Sequence, residues 1–141
     1  MARPFRVPAL SAGLLAQPRY LSHPNTAYAV HDVWITGEGA LGLGDHFAIV
    51  LGAPGTAEGP DRISFATPSG TVVLATGQAF EQAFGTTPPH PEDGPHLAAL
   101  TIACDRLDSL KESGLERVGR RLVLPPARGF GTAVAFIERE A

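Results

Sequence analysis

Apolar and polar residues start to alternate with period two at residue 29. Ala-Val-His-Asp-Val-Trp-Ile-Thr over 29–36 is rich in β-branched and aromatic side chains, the mark of a half-buried strand. Val33 and Ile35 would share one face; Asp32, Trp34 and Thr36 would share the other. Residues 45–52 read as a helix, with Asp45 as cap or first-turn acid and Gly52 as the stop. Segments 62–66 and 71–76 read as strands around Pro68-Ser69-Gly70, a hairpin signal, and 78–84 as a short helix closed by Gly85. Residues 86–95 hold four prolines and read as a linker. The pattern then starts over with a strand at 97–104, a helix at 105–113 ended by Gly114, and strands at 115–118, 121–124 and 132–137. The second half is therefore βαβββ. The first is βα followed by at least two strands, a diverged copy of the same module that comes out one strand short.

Residues 1–25 are broken by Pro4, Pro8, Pro18 and Pro24 and show no sustained period, so they read as an arm. Phe5, Val7, Leu10, Leu14, Leu15, Tyr20 and Leu21 make that arm apolar, and 9–16 suits a short helical turn against a partner surface. The expected domain is 26–141, divided into module one at about 26–85, the linker at 86–95 and module two at 96–141. A chain of 141 residues can bury one core of its own and is too short for two ordinary domains. Sixteen glycines and thirteen prolines favour short elements and tight turns over a helix bundle. No apolar run has the length of a membrane span, and no signal-peptide pattern opens the chain. A single cysteine, Cys104, leaves no internal disulfide and points to a reducing cytoplasm. With a net charge of −3 and no basic stripe, nucleic acid is not an expected partner.

The element order, together with Ala-Leu-Thr-Ile-Ala-Cys-Asp-Arg-Leu over 99–107, resembles the vicinal oxygen chelate superfamily, which includes glyoxalase, bleomycin-resistance proteins and extradiol dioxygenases. Gly114, the Arg-Leu-Val-Leu-Pro-Pro run at 121–126, Gly131 and the Val-Ala-Phe-Ile-Glu run at 134–138 are similar to its glyoxalase-like domain branch. His-Pro-Asn-Thr-Ala at 23–27 resembles a joint that precedes a paired module in longer members. The resemblance spans about residues 20–138. It implies an α+β fold of paired βαβββ modules, with a mixed, curved sheet and helices on its convex face. It also implies a trough lined by Trp34, Thr36, Val72, Leu74, Thr101, Ala103, Ala133 and Ala135. The core would then hold Val33, Ile35, Phe47, Val50, Leu51, Leu100, Ile102, Leu107, Leu110, Val134 and Phe136.

Active members of the superfamily hold a divalent metal through His, Gln or Glu on the first and last strands of each module. Carried over one position at a time, those places fall on Asp32, near Leu74, on Ala99 and on Ala135. One carboxylate does not hold a catalytic ion, so no metal or other cofactor is expected. His31 alternates away from Asp32 and should take a backbone partner. His46 falls on the polar face of its helix. His90 and His96 flank Glu92 and Asp93, a metal-like grouping in a segment expected to lack a rigid frame. Gly37, Gly39 and Gly42 match G-x-G-x-x-G between a strand and a helix, but no parallel βαβ alternation follows and Glu38 would oppose a pyrophosphate. Cys104 reads as a small core residue, with Asp105 beside it opposing thiolate formation.

Two functions follow from these positions. One is a small-molecule-binding module without a metal, taking a hydrophobic or flat ligand with Asp32, Trp34, Thr36, Leu74, Thr101 and Ala135. The other is a metal-dependent lyase, isomerase or dioxygenase that completes its site with ligands from a partner chain. A homodimer is expected in either case, the arm covering the edge of the incomplete first module.

Overall fold

The computed structural model describes residues 17–110 and 114–140. Residues 1–16, which contain most of the apolar arm, and 111–113, at the end of the expected second helix, lie outside the described residues. A four-residue turn of helix, α1 (Pro18–Leu21), leads into the sheet.

Eight strands make one mixed sheet. They are β1 (Ala27–Thr36), β2 (Thr56–Ala57), β3 (Arg62–Thr67), β4 (Gly70–Ala75), β5 (His96–Cys104), β6 (Glu116–Val118), β7 (Arg121–Leu124) and β8 (Ala133–Glu138). Their order is β2-β3-β4-β1-β5-β8-β7-β6. Each half repeats the other: β1 pairs parallel with β4 and β5 parallel with β8, and the halves join where β1 runs antiparallel to β5. The two-residue β2 supplies the strand that module one was expected to lack, and it went unread because two residues carry no alternation. The sheet ends in very short strands on both sides.

Two eight-residue helices flank the sheet: α2 (Gly44–Leu51) and α3 (Gly77–Phe84). Thr76 caps α3, its hydroxyl accepting from the Ala79 amide at 3.2 Å, and Gly85 ends it in the left-handed conformation at φ 65°. The helices take opposite faces. α2 meets the face that carries Ile63, Phe65, Val72 and Leu74, with the Phe47 ring 6.1 Å from that of Phe65. α3 lays Phe80 and Phe84 on the other face, against Trp34, Val73, Ala75, Ala99 and Ala135.

The expected helix over 105–113 does not form across 105–110, which are turns. Their polar groups are tied to the entry of β1. The Asp105 amide donates to the Thr26 carbonyl and the Arg106 amide to the Thr26 hydroxyl, while Ser109 donates to the Asn25 carbonyl. Such side-chain and cross-chain bonds compete with helical ones.

This alters the expected core. Leu107 is buried, but Val33, Ile35, Phe47, Leu51, Leu100, Ile102, Leu110, Val134 and Phe136 are half-buried and Val50 is exposed. The alternate residues Trp34, Ala99, Ala133 and Ala135 form the tighter core, under α3. Truncating the aromatic that seals it, Phe84→Ala, should cost about 3–5 kcal/mol. The half-buried Phe136→Ala should cost less than half as much. Urea unfolding of both variants checks the order; the reverse order would mean the core lies on the other face.

Candidate functional site

Registers decide which candidate side chains meet. Asp32 pairs with Thr101 and Trp34 with Ala99 across β1 and β5, and Thr101 pairs with Ala135 on β8. Asp32, Trp34, Thr36, Thr101 and Ala135 therefore share one face, as expected. Leu74 does not join them. Parallel pairing places it beside Ile35, on the α2 face, and brings Val73 beside Trp34. Val72 is misplaced in the same way, opposite Val33. A one-residue shift in register moves a side chain to the other face.

The face those five share is not an open trough. Each is at most 4% exposed. Trp34 meets Phe84 edge-to-face with centroids 5.1 Å apart, a favourable geometry for aromatic rings. Arg121 completes the seal from β7. Its Nη2 donates to Asp32 Oδ2 at 3.0 Å and its Nε to the Thr101 hydroxyl at 3.3 Å. Its guanidinium also lies 5.7 Å from the Trp34 ring centre and 5.2 Å from that of Phe84, within cation–π range. Nothing in the one-dimensional pattern marked Arg121, although its place two residues before the buried Val123 puts both on this face.

These donors do not fit the divalent ion that the resemblance implies. Val73 and Ala75, the β4 residues on this face, Ala99 and Ala135 offer no ligand atom. Asp32 does, but a permanent cation already holds its Oδ2, and a second positive centre there would be repelled.

His31 also departs from expectation. The β1–β5 ladder slips one residue between Val30 and Asp32, so His31 is a bulge residue and does not alternate away. Its Nδ1–H donates to Asp32 Oδ2 at 2.8 Å, a side-chain partner where a backbone one was expected. Asp32 Oδ1 and Trp34 Nε1 are buried with no hydrogen-bond partner among the described residues.

Room for a small molecule lies at the end of the sheet. A cavity of about 530 Å³ opens where the parallel strands β1 and β4 finish, lined by residues 36–42, 75–77, Pro91 and Glu92. Thr36 is the one predicted site residue on its wall. Much of that wall is the glycine loop that matched G-x-G-x-x-G, held in place by the proline linker. The Glu38 amide donates to the Pro91 carbonyl at 3.3 Å. Gly37, at φ 127°, passes so close to Gly94 that a Cβ would lie 2.1 Å from its carbonyl oxygen; only glycine fits there. His96 stands apart from the other linker histidine, its Nδ1–H donating to the Gly94 carbonyl at 2.8 Å. His90, Glu92 and Asp93 do come together, with ligand-capable atoms within 4.8 Å of one another, but all three are exposed. Exposed groups of this kind are ordinary on protein surfaces.

Cys104 is fully buried. Burial pushes its thiol above the ordinary range, and the adjacent Asp105 charge adds to the effect. An unfolded thiol loses its proton near pH 8.5, whereas the folded one holds it longer. Stability should be complete below that pH and fall as pH rises toward the folded value. Cys104→Ala should flatten this alkaline slope in unfolding titrations; an unchanged slope would show that another group causes it. Arg121→Ala would leave Asp32 as a buried charge without its cation, and breaking a buried pair in this way costs about 3–5 kcal/mol. Adding Asp32→Asn should recover part of that loss in a double-mutant cycle.

No family model matches the chain, and no curated protein does. Among solved structures, methylmalonyl-CoA epimerase from Mycobacterium tuberculosis is similar, with a TM-score of 0.56 at 12% identity over 89% of this chain and 97% of that one. The likeness is one of architecture: this chain has the α+β, paired-module sheet of the glyoxalase/bleomycin resistance-like fold.

Proposed function

We propose that this protein is a small-molecule-binding member of the glyoxalase-like group that works without a metal and takes its ligand at the end of the sheet. The observation that carries the proposal is the cavity of about 530 Å³, within the usual range for ligand sites, on a molecule whose sheet face is closed. Ala40, Leu41, Ala75 and glycine backbone give it an apolar body. The Thr36 hydroxyl donates to the Ala75 carbonyl at 2.8 Å, and the Thr76 hydroxyl caps α3. The charged groups on the wall are Glu38 and Glu92, and no lysine or arginine is among the described lining residues.

A ligand for this wall is neutral or cationic and carries hydrogen-bond donors. A coenzyme A thioester, whose phosphates are anionic, suits it poorly, so the activity named for the structural neighbour does not transfer with the fold.

Thermal shift assays should show stabilisation by flat neutral or amine-bearing compounds and none by matched carboxylates. Ligand at a hundred times its Kd should raise Tm by roughly 6–10 °C. Gly42 faces open space, so Gly42→Phe should fill the cavity and abolish the shift while the apo protein still folds. Stabilisation that survives this substitution, or that favours carboxylates, would overturn the proposal.

A further inference from the structure

The bulge in β1 puts two consecutive residues, His31 and Asp32, on the same face of the sheet, where regular alternation would separate them. Asp32 is 4% exposed, while the His31 side chain is 49% exposed. Because Nδ1–H donates to the carboxylate at 2.8 Å, the imidazole is held as the Nδ1–H tautomer with the lone pair on Nε2. Arg121 holds the same Asp32 oxygen from the far side at 3.0 Å, so the carboxylate that orients the ring is itself fixed.

His31 lines a second cavity, of about 320 Å³, separate from the one at the sheet end. Its floor is Ala103 and Ile137, which pair with each other across β5 and β8. Arg139 stacks 4.1 Å from the centre of the Tyr28 ring, giving a flat wall. Arg120 and Arg139 bring guanidinium N–H groups, each also paired with an acid, Glu140 and Asp105 respectively. Glu138 lies on the same wall. Among the described residues no serine, threonine or cysteine lines this cavity, and Cys104 behind its floor is buried. A base oriented by a carboxylate, beside two arginines and with no serine, threonine or cysteine among the described lining residues, is equipped to activate water.

We propose that His31 is a catalytic residue, with Asp32 as its positioning residue, for hydrolysis of a small, uncharged, flat acyl ester. His31 Nε2 takes a proton from water as the water oxygen bonds to the acyl carbon. The carbonyl electron pair moves onto oxygen, where the arginine N–H groups face it. The pair then returns, the bond to the alkoxide breaks, and the imidazolium gives its proton to that alkoxide. Ester and water become acid and alcohol, and the imidazole is regenerated.

The test is hydrolysis of p-nitrophenyl acetate by the full chain. His31→Gln, at a half-exposed side chain, should keep the fold and lose a hundredfold or more of the rate, the scale of general-base catalysis. Asp32→Asn should lower the rate at least tenfold and move the midpoint of its pH profile, a change that a purely structural role would not produce. His46→Gln, on the exposed face of α2, should leave the rate unchanged. A wild-type rate in His31→Gln would overturn the proposal, as would equal losses in His31→Gln and His46→Gln. A folded Asp32→Asn with an unaltered profile would overturn the role given to Asp32.

Discussion

The antiparallel pairing of β1 with β5 is the contact on which the rest of the molecule depends. It joins two four-strand halves into one sheet and sets which side chains share a face. Small residues follow from it. Ala99 and Ala135, with Ala133 beside them, let a helix carrying Phe80 and Phe84 sit close to the sheet around Trp34. Larger side chains there would lift the helix and open the face. Close packing of this kind is worth several kcal/mol per aromatic.

Most of the strands and both eight-residue helices could be read in the chain, because β-branched alternation and glycine stops are local signals. β3, β4, α2, α3 and β7 lie within a residue or two of where 62–66, 71–76, 45–52, 78–84 and 121–124 placed them. What could not be read depended on distant partners. Leu74 and Val73 look equally fit to face inward until the parallel register with β1 chooses Val73. His31 looks like a residue of the face opposite Asp32 until a bulge opposite Ile102 and Thr101 turns it back. The stretch at 105–110 has helical spacing, yet Thr26 and Asn25 claim its polar groups from some 80 positions away.

The site obeys the same limits. Asp32, Trp34, Thr36, Thr101 and Ala135 share a face because alternation along three strands, β1, β5 and β8, is a local signal. That they form a seal follows from two features outside those strands, the helix α3 and Arg121 on β7. Arg121 also alters the electrostatics: a guanidinium beside the lone carboxylate turns the region from one that attracts a cation into one that is internally neutral. Open space lies at the rims, beside Glu38 and Glu92 at one end of the sheet and beside Arg120, Arg139, Glu138 and Glu140 at the other.

The outermost strands, two residues at one edge and three at the other, bear on how the protein behaves when crowded. A sheet grows by templating on a long row of free amides and carbonyls. Strands this brief present few such groups, and only the short stretch 65–67 of β3 runs on past β2. Among the described residues, the eight-strand sheet limits strand-on-strand growth mainly by where its chain stops pairing, with Glu116 and Arg117 adding charge at one edge.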